Sequence, residues 1–201
     1  MHISEGVLSA PVLIAGAVLS AGGVAIGLRK MSYDRIPQVA VLSSAFFVAS
    51  LIHVPIGPSS THLVLNGLLG ILLGWMAFPS IFVALSLQAL LFQFGGFTVL
   101  GVNTLVMAAP AVLAYLLFSP LVKTSKITLV SAGGFLAGVT GIIVGALLVA
   151  LALISTGESF RNVAMVIIIA HIPVMIIEGV VTAFCVLFLK RVKPEILEVS
   201  K

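Results

Sequence analysis

Runs of about twenty apolar residues recur along the whole chain, the length at which an α-helix crosses the hydrocarbon core of a bilayer. In lipid every main-chain N–H and C=O must be satisfied inside the protein, so only helices and closed β-barrels can span. The runs lack the polar/apolar alternation of barrel strands. Composition points the same way: 61% of the 201 residues are hydrophobic and only 8% are charged, against about 25% charged in a soluble domain. The expected fold is an all-α integral membrane protein, a single transmembrane domain over residues 1–201.

Seven spans are predicted, at about 7–28, 36–54, 62–78, 80–94, 98–118, 127–155 and 163–189. The second breaks at "HVPIGPSST" and the third stops at Pro79. So little chain separates the third span from the fourth that the two form a tight antiparallel pair. Basic residues fix the orientation. Arg29, Lys30 and Arg35 follow the first span, Lys123 and Lys126 the fifth, and Lys190, Arg191, Lys193 and Lys201 the seventh. With seven spans these all fall on one side and Arg161 alone falls opposite, which places the N-terminus outside and the C-terminus in the cytoplasm. Basic residues that flank spans record orientation in the lipid bilayer, so the net charge of +4 implies no nucleic-acid partner. Nothing before Leu28 is basic, so the first span is expected to be a retained helix rather than a signal peptide. The lone Cys185 excludes a disulfide within the chain.

The opening "MHISEG" carries the most specific chemistry. Histidine at position 2 leaves Met1 in place, and its free amine offers one nitrogen. The His2 amide, once deprotonated, offers a second, and the ring nitrogen nearest the backbone a third. These donors close a five-membered and a six-membered chelate ring in one plane. A fourth nitrogen completes a square that suits Ni²⁺ or Cu²⁺ and can accommodate Co²⁺. His62 is the first choice for that corner and His53 the second. The alternative is structural: His2 as a solvated residue, and His62 as a helix cap or a partner of a main-chain carbonyl.

"MHISEG", "HVPIGPSSTHLVLNGLLG" and "GGFTVLGVNTLVMAAP" together resemble the substrate-binding membrane subunit of energy-coupling-factor transporters for nickel and cobalt, the CbiM/NikM family. The likeness covers essentially the whole chain. It implies a seven-helix subunit whose N-terminal tip inserts into the bundle and holds the metal through the Met1 amine, the His2 amide and ring, and His62. It also implies partners: a transmembrane coupling (T) subunit, cytoplasmic ATPase subunits, and a small auxiliary membrane subunit on a separate chain. Ni²⁺ and Co²⁺ are the transported substrates implied, with planar nitrogen coordination favouring nickel slightly.

Other polar residues have supporting roles. Asn66, one turn beyond His62, is expected to hold the inserted tip, with Asn103, Ser60 and His53 around it and the glutamines Gln88 and Gln93 less involved. Ser59 and Thr61 offer further hydroxyls in a loop expected to be irregular. Glu5 is expected to cap the first helix. A carboxyl near the bilayer centre costs about 2.5–3.5 kcal/mol on insertion scales, so Glu178 must face the bundle or be protonated. With His171, seven residues earlier on the same face, it is a candidate coupling element. Rows of small residues, Ala17, Ala21 and Ala25 and again Gly134, Gly138, Gly141 and Gly145, permit close helix approach, inside the bundle or against a coupling protein. No phosphate-binding loop G-x-x-x-x-G-K-[ST] occurs, so ATP hydrolysis belongs to another chain and the chain is expected not to be an enzyme. Two rival readings are an intramembrane hydrolase built from Ser59 or Ser60 with His62 or His171, and a small channel or structural membrane protein.

Overall fold

The structure is a computed structural model and describes residues 1–198; Lys201, one of the orientation-setting cations, lies outside the described residues. Helices follow in the expected order: α1 (Ala10–Arg29), α2 (Ile36–Leu51), α3 (Asn66–Leu73), α4 (Ala77–Phe92), α5 (Leu100–Lys123), α6 (Ile127–Thr156) and α7 (Arg161–Val192), with a final turn α8 (Glu195–Glu198). Between α2 and α3 two short strands, β1 (His53–Ile56) and β2 (Ser59–His62), pair antiparallel. Among the described residues five segments are long and apolar enough to cross a membrane, 10–29, 66–92, 100–123, 127–156 and 158–192, against the seven spans expected: the 16-residue α2 is not among them, and α3 and α4 fall within one.

The 66–92 segment is not one straight rod. Its 27 residues would extend about 40 Å as a continuous helix, yet His62 just ahead of it and Gln88 near its far end both meet the ring of His2. The chain turns back at Gly74, whose φ of 55° and ψ of −127° suit a residue without Cβ. α3 and α4 are therefore the expected antiparallel pair. The third span is shorter than expected, 66–73 instead of 62–78. The second ends at Leu51 instead of 54, because the "HVPIGPSST" stretch is a β-hairpin rather than irregular loop. Gly57 takes φ 54° at the first position of the two-residue turn Gly57–Pro58, as such hairpin turns require.

The bundle is apolar on its surface as well as in its core. On α1 the buried residues are Gly16, Ser20, Gly23 and Gly27, a stripe of three- and four-residue steps, while Ile14, Val18 and Leu19 are exposed. Small residues turn inward for close contact and large apolar ones face lipid. α3 differs: all eight of its residues are buried, because α5, α6 and α7 enclose it. A Cβ added to Gly138 would stand 2.5 Å from the Glu178 carbonyl oxygen, and one on Gly141 would stand 2.9 Å from the Gly67 nitrogen. The glycines of α6 thus admit α3 and α7 at backbone contact, which fixes the depth of the chain that precedes α3.

Candidate metal centre

The N-terminal segment is drawn into the bundle as a third strand-like edge. Ile3 bridges Ser59 antiparallel, Ser4 N–H donates to Pro58 O at 3.0 Å, and β2 is thereby flanked by β1 on one side and the N-terminus on the other. Asn103 on α5 clamps the segment with both ends of its amide: Ile3 N–H donates to Oδ1 at 2.9 Å and Nδ2 donates to Ile3 O at 3.0 Å. Met1, 0% exposed, packs its thioether against Gly145 of α6, and its amine donates to the Ser60 carbonyl. Glu5 Oε1 accepts from Thr98 N–H at 2.9 Å, with the carboxyl over Gly96. That tie to the loop before α5 replaces the expected cap on α1, which starts only at Ala10.

His2 and His62 meet inside this frame. Nδ1 of His2 lies 3.0 Å from Nε2 of His62, and both residues are buried. Their remaining nitrogens are engaged: Nε2 of His2 with Gln88 Oε1 at 2.9 Å and Nδ1 of His62 with Leu63 O at 3.0 Å. Carbonyl oxygens only accept, so each outer nitrogen carries the proton of a neutral ring and the two facing nitrogens present lone pairs. Burial lowers the Met1 amine well below its ordinary 8.0. Burial first, and the nearby terminal amine second, hold both imidazoles well below their ordinary 6.5. Burial thus favours the neutral, donating form of all three groups. Among the described residues no three His, Cys, Asp or Glu side chains gather as a cation site. Any ligand set here has to combine these two rings with the main chain.

The turn that carries His62 is fixed from α7. Glu178, 0% exposed, accepts from Val64 N–H and Leu65 N–H on the same oxygen, the latter at 2.7 Å, just where Leu65 takes φ 57°. Phe94 lies against both rings, its own ring 4.0 Å from that of His2 and 4.2 Å from that of His53.

The expected residues divide clearly. Met1, His2, His62, Asn103 and Ser60 come together, Ser60 through its carbonyl instead of its hydroxyl. Asn66 does not hold the tip: its side chain is buried without a hydrogen-bond partner, and Asn103 fills that role. His53 is exposed, bonds Leu51 O at 2.9 Å and stacks on Phe94. His171 does not pair with Glu178 but bonds Ile167 O of its own helix at 2.7 Å. The hydroxyls of Ser59 and Ser60 have no partner, so neither forms a nucleophile–base pair with His62 or His171. Gln88, ranked low from sequence, contacts His2 directly; its one visible signal is a polar amide inside an apolar helix.

Comparison with known proteins places the chain. A family model, CbiM, described as "Cobalt uptake substrate-specific transmembrane region", matches residues 2–196. A metal transport protein of Haemophilus influenzae is 44% identical, over 98% of this chain and 97% of that one. A fused nickel transport protein NikMN of Archaeoglobus fulgidus is 28% identical, over 98% of this chain and 68% of its own length. The crystal structure of a transition metal transporter superposes with a TM-score of 0.76 at 26% identity, covering 96% of this chain and 93% of that one.

Proposed function

The chain belongs to the CbiM family of membrane components for metal uptake, and from that premise we propose that it captures Ni²⁺ or Co²⁺ for an ATP-driven energy-coupling-factor importer. It is a multi-pass protein of the cell membrane and a transporter component, not an enzyme. The proposed ligands are the Met1 amine, the His2 amide nitrogen, His2 Nδ1 and His62 Nε2.

The observation that carries this reading is the facing pair of bare imidazole nitrogens. With metal–nitrogen bonds of about 2.0 Å, adjacent corners of a square lie about 2.8 Å apart. The pair is 3.0 Å apart, so a cation fits with a shift of a few tenths of an ångström. It would replace the repulsion of two lone pairs with two bonds. Asn103, Ser60 and the Glu178-anchored turn support the donors around it. Asn66 and His53 keep only an outlying role.

The single domain spans the bilayer with the N-terminus and site outside and the basic helix ends in the cytoplasm. Lys190 Nζ donating to Lys123 O at 3.3 Å supports the placement of two of those ends together. The coupling (T) subunit docks on the exposed groove lined by Ala17, Ala21 and Ala25 with Phe97 and Gly101; cytoplasmic ATPase subunits and a small separate auxiliary membrane subunit complete the importer. Glu178, which ties the His62 turn to α7, is the coupling contact, with His171 further out on that helix. X-ray absorption at the nickel edge of the loaded protein tests the ligand set. Four nitrogen neighbours, two of them imidazole, are expected; a sulfur neighbour or a six-coordinate oxygen shell would overturn it.

A further inference from the structure

We propose that Gln88 is the positioning residue that prepares His2 for the metal, through a directed hydrogen-bond chain that starts at the main chain of α2. The inference rests on the reading of His2 Nδ1 as a ligand.

The direction of the chain follows from donor and acceptor inventory alone. Ser50 has one hydroxyl proton, and it goes to Phe46 O at 2.7 Å with a longer branch to Phe47 O at 3.3 Å. Its oxygen, 2.6 Å from the Gln88 amide, is left to accept. That end of Gln88 also lies 2.9 Å from Phe47 O, a carbonyl that can only accept. Both neighbours thus demand the NH₂ of Gln88 and exclude its oxygen. Oε1 must then face His2 Nε2 at 2.9 Å, and Nε2 must hold the ring proton. Nδ1, the nitrogen that closes the six-membered chelate, is left bare.

Ser50 and Gln88 are both 0% exposed, so water cannot substitute for any link, and a flipped Gln88 amide would set oxygen against oxygen. His62 is set in the same sense from the other side by Leu63 O. The two rings are thus held with lone pairs converging before any cation arrives. The organisation is made in advance and not induced, which is the usual service of groups behind a ligand. The chain also joins α2 to α4 beneath the site, so the orientation of the His2 ring depends on how those two helices pack.

The test uses the full chain in detergent with ¹⁵N-labelled histidine. In the metal-free wild type at neutral to alkaline pH, His2 is expected as a single tautomer with its proton on Nε2, and that proton is expected to be protected from exchange. Gln88→Met keeps the volume and removes the strong acceptor. It should give mixed tautomers and a loss of about 10–100-fold in Ni²⁺ affinity, with helical content unchanged. Gln88→Glu restores an acceptor for Nε2 but sets its second oxygen against Phe47 O, so it should return the Nε2-protonated tautomer while recovering only part of the affinity. A proton on Nδ1 of His2 in the wild type, or unchanged tautomer and affinity in Gln88→Met, overturns the proposal. The wild-type tautomer is read without metal and without a variant. It therefore stands or falls separately from the ligand assignment: a correct tautomer with no nickel bound would refute the site and leave the relay intact.

Discussion

The two strands of the hairpin form an internal control. His53 and His62 are register partners, equal in residue type, yet they have opposite surroundings. β2 is the middle strand, between β1 and the N-terminal segment, and Ser59, Ser60 and His62 are each 4% exposed. β1 is an edge strand whose His53 and Pro55 are exposed. A proline in the edge strand is tolerated because one of its sides needs no partner. The lesson is that position in a three-stranded arrangement, and not residue type, decides which histidine is buried beside His2.

Removing each histidine in turn breaks that comparison most sharply. His62→Ala takes away one of four proposed donors, and four-ligand sites bind with about 10–16 kcal/mol, so about 3 kcal/mol, or at least 10²-fold in affinity, should go with it. His53→Ala, measured in the same calorimetry, should change affinity by less than about fivefold, since it removes a stacking contact worth about 1 kcal/mol or less and an exposed bond to Leu51 O. Equal losses would erase the distinction between the strands.

Asn103→Ala probes what keeps β2 in the middle. It deletes both hydrogen bonds to Ile3 and loosens the third edge while leaving every donor present. An affinity loss of about 10–100-fold is expected, with amide exchange at Ile3 accelerated. A loss as large as that of His62→Ala would make Asn103 part of the ligand set.

Proton release reports on the burial itself. The amine and both rings have folded values lowered from the ordinary ones, so as pH falls an unfolded or undocked tip takes up protons first. Docking of the tip is therefore favoured above about pH 8 and weakens as pH falls through 8 and then 6.5. Burial favours the neutral forms of the amine and both rings in the docked state, which leaves the amide as the main proton to be released by the proposed ligand set. Calorimetry in buffers of different ionisation enthalpy should count about one proton released, and affinity should rise about tenfold per pH unit. An exposed amine with an ordinary value would make the count about two.

Hydropathy was sufficient for the helical order, because each span is a local pattern, and the reversal between α3 and α4 was legible in the short gap between them. The hairpin was not. "HVPIGPSST" mixes Pro, Gly and Ser in a way that suggests loop, and its pairing is worth little until the N-terminus adds an edge. That Met1, His2 and His62 gather in one place was legible because a chelate has its own chemistry at fixed spacing. The choice of Asn103 over Asn66 was not, since both are asparagines near an outer helix end and the contact that separates them spans 100 residues. Gln88 was undervalued for the same reason: its partner lies 86 residues away, and no local signal carries that distance.

The most direct test of the whole account adds one residue ahead of Met1 and measures Ni²⁺ binding by calorimetry alongside helical content. The amine would then be an amide, and the chelate could not close with the same rings. Affinity should fall by at least about 10³-fold while the helical spectrum stays unchanged. Undiminished affinity in the extended protein would mean that the chain's first atoms do not hold the metal.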